Sequence, residues 1–146
     1  MSIHVENRQR SVRLHVPWLR RFASLALKKC RDHSGDGQFA LRGLGEIEVA
    51  IVSDRVIAGV HERFMDIPGP TDVITFAHGE IVTSAQTAAW HAAEYGRSVD
   101  HEVALYIIHG LLHLNGYDDR MQGDATRMRR TQERILRACL CELPTI

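Results

Sequence analysis

Three cysteines among 146 residues are too few, and too unevenly placed, to form a disulfide scaffold. Cys139 and Cys141 are separated by a single residue rather than the two to four of a zinc knuckle, and Cys30 stands far from both. A reduced, cytoplasmic setting is therefore expected. Long hydrophobic runs are also missing. The longest clean one, Val103 to Ile108, falls far short of the roughly 20 residues that span a bilayer, so no membrane association is expected. The first sixteen residues alternate apolar and charged groups and contain no continuous apolar stretch of the kind an export signal needs. No low-complexity tract, internal repeat or linker interrupts the chain, and the net charge is zero. What remains, 45% hydrophobic and 25% charged, describes one soluble globular domain over residues 1–146. A chain of this size buries roughly two thirds of the surface its unfolded form exposes, enough for a core without staples.

The zero net charge conceals a segregation. Residues 1 to 31 carry eight basic groups and one acid, residues 32 to 119 carry four basic groups and fourteen acids, and residues 120 to 146 carry six Arg and three acids. Two basic ends thus flank an acidic middle that holds seven of the nine His. Solvated helix faces of clustered sign are the plain alternative to a functional reading.

Periodicity predicts an α+β domain: one mixed sheet of about four strands packed with about five helices. Ile3 and Val5, then Val12, Leu14 and Val16, alternate as a strand or hairpin does. Pro17 suits the first turn of a helix whose face carries Trp18, Phe22, Leu25 and Ala26, ending before the Gly-rich stretch at 34–38. The segment 46–53 reads as a strand, and Asp54 is expected to cap a short helix to about Met65. Residues 71–76 read as a buried strand, with 80–84 its hairpin neighbour across Ala77, His78 and Gly79. Ser84 and Ser98 are expected to cap helices ending at Gly96 and Gly116, and a last helix runs from about Gly123 to Leu140.

The helix that follows Ser98 is the most apolar and carries the chemistry. His109 and His113, four residues apart, lie about 40° apart in azimuth and about 6 Å apart along the axis, so both rings reach one ion. Gly116 permits the left-handed conformation that ends a helix and lets the chain bring Asp119 back toward the rings. Two imidazoles and a returned carboxylate, with a coordination position open for water, form the catalytic rather than the closed structural type of zinc site. Zinc proteases of the H-E-x-x-H type place a Glu general base after the first His; Gly110 stands there instead and removes the key catalyst of a peptidase. Phosphodiester hydrolysis demands that Glu less, because the ion itself stabilises phosphorane charge.

The stretch from His109 to Asp119, H-G-L-L-H-L-N-G-Y-D-D, resembles the H-G-x-L-H-x-x-G-Y-D-H signature of the YbeY family, single-strand endoribonucleases of bacterial rRNA maturation. Pro70 to Phe76 is similar to the family's P-T-D-V-L-S-F, and Gly79-Glu80-Ile81 to its G-D-I. Order and spacing agree over about residues 46 to 137. The resemblance implies a zinc-dependent endoribonuclease whose ion is held by His109, His113 and Asp119 and whose substrate is single-stranded rRNA. It also implies partners on the small ribosomal subunit, including a ribosomal protein and a ribosome-associated GTPase. Two positions depart from the pattern. The family's third ligand is His, and Asp119 adds a negative charge that favours harder ions such as Mn²⁺. Met65 stands where the family has an Arg implicated in cleavage, with Arg63 two residues earlier as a possible substitute.

Other candidates carry paired readings. Asp118 takes a proton or hydrogen-bonds a ligand ring, or else satisfies backbone N–H groups in its turn. Glu102 and Tyr106 share the His109 face as supporting or packing groups. Thr75, Phe76 and His78 lie on the strand that edges the family's cleft, where Thr75 and His78 are candidates for substrate contact and Phe76 for the core. Arg127, Arg130, Arg134 and Arg137 form one stripe of the last helix, able to track phosphates.

Overall fold

Alternating apolar residues build strands β1 (Ser2–Asn7) and β2 (Glu46–Val52), which pair in parallel with Ile3 opposite Ile47 and Val5 opposite Val49. The coordinates are a computed structural model that describes residues 1–144, so the last two positions of the expected domain lie outside the described residues. β2 pairs in parallel with β4 (Glu80–Ser84), and β3 (Val73–Phe76) joins antiparallel to β4, giving the order β1-β2-β4-β3. The helices are α1 (Val16–Arg31), α2 (Asp54–Met65), α3 (Ala85–Tyr95), α4 (Val99–Leu114) and α5 (Gln122–Glu142). The described residues thus form the expected α+β domain with one mixed four-stranded sheet and five α-helices.

Period-two alternation sends Val5, Ile47, Val49, Ile51 and Ile81 to one face of the sheet, into a core shared with α1 and α4. On the other face, Ala50, Val52, Ile74 and Val82 cluster with Ile57 of α2. α4 is the hub: it packs on α1, α3, α5, β3 and β4. Its Val103, Ile107, Ile108, Leu111 and Leu112 are fully buried. Each such side chain contributes roughly 1.5–3 kcal/mol of burial, so the backbone that carries His109 and His113 is firmly anchored. One turn of that packing leaves no room for a side chain. A Cβ on Gly110 would lie 2.8 Å from Ile81 Cδ1, so the glycine lets α4 settle directly on β4.

Three details differ from expectation. Val12 and Leu14 are not in a strand, because the Gln9 side chain takes over the backbone there: its amide accepts from the Val12 N–H and donates to the Val12 carbonyl, both at 2.8 Å. Ser53, not Asp54, caps α2 by accepting from Val56 N–H. Asp54 instead accepts hydroxyl hydrogen bonds from Ser84 and Thr87 and so ties α2 to the start of α3. Finally, β3 is an edge strand that is buried mainly at Ile74, which leaves Thr75 open to a cleft.

Candidate metal centre

α4 projects His109 and His113 from successive turns, with ring centroids 4.6 Å apart. The helix stops at Leu114, and the chain reverses through Gly116 at φ 96°, a conformation that penalises any side chain. The Tyr117 N–H closes the turn on the Leu112 carbonyl at 2.9 Å. Asp119 is thereby returned to the rings. Its carboxylate lies 3.5 Å from His109 Nε2 and 3.8 Å from His113 Nε2, and the two Nε2 atoms are 3.0 Å apart. A tetrahedral ion with bonds of about 2.0–2.1 Å sets its donor atoms about 3.3 Å apart, which these separations bracket.

The outer ring nitrogens decide whether the residues suit a cation. His109 Nδ1 donates to the Gln132 side-chain carbonyl from α5, and His113 Nδ1 donates to the Tyr117 backbone carbonyl at 3.1 Å. With the protons on Nδ1, both Nε2 lone pairs point at one another and at a carboxylate. Three acceptors converge without a proton among them, an arrangement that a cation relieves. Burial, reinforced by the neighbouring His109, holds His113 below the usual imidazole range and keeps it neutral, the form that ligates.

Asp118 belongs to the turn. Its carboxylate accepts from the Asp119 and Arg120 N–H groups and is held by the Arg120 guanidinium at 2.6 and 2.7 Å. That pairing lowers its pKa and keeps it ionised. The centre opens into a cleft of about 780 Å³ whose lining includes Phe39, His61, Met65, Thr75, Tyr117 and Arg120. Thr75 is therefore in the cleft. Arg63 is not among its lining residues; it lies over the Phe64 ring on the exposed side of α2, and Met65 takes the cleft position. His78 stacks on Phe76 at the hairpin, also outside that lining, and Phe76 is half-buried under α2. Arg127 is paired with Asp36 at 2.8 Å and sits over the Tyr117 ring. With Arg130 and Arg134 it lines a separate shallow groove that meets the cleft at Tyr117. Glu102 and Tyr106 lie buried beneath the site beside Arg97, where burial holds both acids above their ordinary ranges.

Gln132, Phe39 and His61 were not visible as site residues from sequence. Gln132 is 23 positions from the ring it holds, and only the packing of α5 on α4 brings the two together.

A mixed sheet crossed by a helix that bears two imidazoles, with a carboxylate returned by a glycine turn, defines an α+β protein with a group of side chains able to hold a metal ion. The sequence model of the family described as Endoribonuclease YbeY matches residues 4–139, and the chain belongs to that family. Relatives described as Endoribonuclease YbeY include one from Cutibacterium acnes, 32% identical over 133 residues that take in 80% of each chain. Another, from Mycobacterium ulcerans, is 34% identical over 116 residues, 66% of this chain and 65% of the relative's length. A solution structure of a Thermotoga maritima protein shares the fold, with a TM-score of 0.65 at 22% identity over 96% of this chain and 90% of that one.

Proposed function

We propose that this chain is a divalent-metal-dependent endoribonuclease of single-stranded RNA, with zinc the expected ion and rRNA maturation and ribosome quality control in the bacterial cytoplasm its setting. Supporting the hydrolase class are the relatives described as endoribonucleases; supporting metal use is the convergence of two Nε2 lone pairs and the Asp119 carboxylate. When bound, a divalent ion supplies Lewis acidity and lowers the pKa of water at the scissile phosphate. His109 and His113 present imidazole Nε2 donors, while Asp119 reduces the charge of the centre and shifts its preference toward oxygen-loving ions such as Mn²⁺. Thr75 and Arg120 offer hydrogen bonds to a phosphodiester in the cleft, and Asp118 holds Arg120 in place. The Arg127, Arg130 and Arg134 groove suits a passing RNA backbone. Partners on the small ribosomal subunit, including a ribosomal protein and a ribosome-associated GTPase, belong to the same proposal.

The test is cleavage of single-stranded RNA by purified protein, with elemental analysis beside it. Chelation and His109→Ala should each abolish cleavage and remove the ion; cleavage that persists in chelator refutes metal dependence. A second reading, a metal-stabilised RNA-binding assembly factor with weak or lost cleavage, is favoured by one observation: the end of α2 presents Met65 rather than a cation to the cleft, and Arg63 lies outside the lining. Met65→Arg combined with Asp119→His should then raise cleavage. A peptidase is disfavoured at Gly110, where Ile81 leaves no space for a glutamate's Cβ.

A further inference from the structure

Beyond Thr75 and Arg120, the cleft beside the proposed metal centre has little to hold a phosphate. Arg120 is the single Arg or Lys in its lining among the described residues, and Asp118 already grips it at 2.6 Å. What the cleft does display is apolar surface. Phe39 is 47% exposed and Met65 is 51% exposed, and both line it. Large side chains left half in water beside the proposed metal centre offer apolar surface on which a flat ligand can stack.

The backbone on either side of Phe39 is firmly tied. Its loop is fastened to the turn that returns Asp119: the Gly35 N–H donates to the Asn115 carbonyl at 2.9 Å, and the Gly37 N–H to the Gly116 carbonyl at 2.8 Å. The Asn115 side chain adds bonds to the Cys30 and His33 carbonyls and accepts one from the Leu41 N–H. The contact is so close that a Cβ on Gly35 would lie 2.3 Å from the Gly116 oxygen. One turn thus positions both a metal donor and an aromatic ring, so little ordering entropy opposes stacking.

We infer that Phe39 and Met65 form a nucleobase subsite that holds one unpaired base of the RNA while its backbone lies at the metal centre. A base supplies a flat π-face for the ring and the polarizable thioether, and a polar edge for Gln38 and Thr71 in the same lining. The requirement for a splayed-out base selects single strands, since a paired base is not free to enter. This inference rests on the ribonuclease reading.

The experiment uses a fluorescently labelled single-stranded RNA of about ten nucleotides, checked on a gel to remain uncut over the measurement, and a set of its copies with one abasic position each. Binding to metal-loaded wild type, Phe39→Ala, Phe39→Trp and Met65→Ala is followed by anisotropy. Phe39→Ala should weaken binding of the intact strand by about tenfold, Met65→Ala by less, and Phe39→Trp should retain it. One abasic position should weaken wild type comparably and cost Phe39→Ala little more, because both changes delete the same contact. Elemental analysis should find the ion unchanged in Phe39→Ala. Unchanged affinity in Phe39→Ala, or losses that add fully, overturns the subsite while leaving the ribonuclease reading intact. Wild-type protein that neither binds nor cuts RNA overturns that reading and the subsite with it.

Discussion

Replacing Gln132 with Leu keeps the side-chain volume near its original value and deletes one acceptor, the carbonyl that receives the His109 Nδ1 proton. Gln132 is 9% exposed, so water does not readily take its place. An N–H left without a partner in such a setting costs about 1–3 kcal/mol, and part of that cost is escaped if the proton moves to Nε2. That tautomer is the wrong one, because it fills the lone pair that faces Asp119 and His113. Metal affinity should therefore fall by about 10- to 100-fold, or about 1.4–2.7 kcal/mol. Gln132→Glu should bind the ion at least as tightly as wild type, since a carboxylate is a stronger acceptor. His113 offers an internal contrast: its Nδ1 partner is the Tyr117 backbone carbonyl, which no side-chain substitution deletes. Competition against a chromophoric chelator measures the affinities, and thermal melts of the metal-free proteins check that each variant folds. Wild-type affinity in a folded Gln132→Leu protein would refute the assignment of the tautomer.

Gly110→Ala should destabilise the fold by about 1–3 kcal/mol in denaturant titration, because its Cβ would press on the fully buried Ile81; a neutral effect would mean that α4 does not sit directly on β4. Glu102 gives a pH-dependent prediction. Burial raises its pKa in the fold, so no penalty exists where folded and unfolded chains are both protonated. As pH rises through the ordinary carboxylate range the unfolded chain ionises first and stability falls. Glu102→Gln should thus raise the melting temperature by a few degrees, of order 1 kcal/mol, at about pH 7 and much less at about pH 4; equal shifts at both would refute the account. Arg130→Ala and Arg134→Ala should each lower the salt slope of RNA binding by about one, while Arg127→Ala, already paired with Asp36, should lower it less; an unchanged slope in all three removes the groove from the RNA path.

The local parts of this protein were readable from its sequence, and the long-range parts were not. Ser84 and Ser98 cap the helices they were expected to cap, and Gly96 and Gly116 end them at positive φ, because each signal concerns neighbouring residues. The convergence of the candidate metal donors was local too: His109, His113 and Asp119 lie within eleven positions, on a helix and its closing turn. Errors arose where a side chain replaced a backbone partner. Gln9 satisfies Val12 and removes the second half of the expected hairpin, and Asp54 serves tertiary hydroxyls while Ser53 caps. Gln132 and Phe39 reach the site only through the packing of α5 and of the 33–41 loop against the α4 terminus, and no local pattern announces either.

The neutral net charge is a sum of opposite-signed segments, and the fold places those segments on different surfaces. Carboxylates of Asp72, Asp118 and Asp119 line the cleft with a lone Arg120, as suits a cation site rather than a phosphate track. The basic ends of the chain fold onto neighbouring helices instead. α1 packs on α5, Lys29 reaches Glu142 at 2.9 Å, and the Arg residues of α5 line their own groove. On the ribonuclease reading, phosphate attraction and metal chemistry are divided between two surfaces that meet at Tyr117, whose ring lies under the Arg127 guanidinium. On the ribonuclease reading, a strand held electrostatically on α5 must cross Tyr117 to reach the ion. The groove then governs how salt affects capture, while the apolar wall of Phe39 and Met65 governs which strands are admitted. Raising the salt concentration should weaken encounter with every RNA alike, and leave the preference for unpaired bases in place.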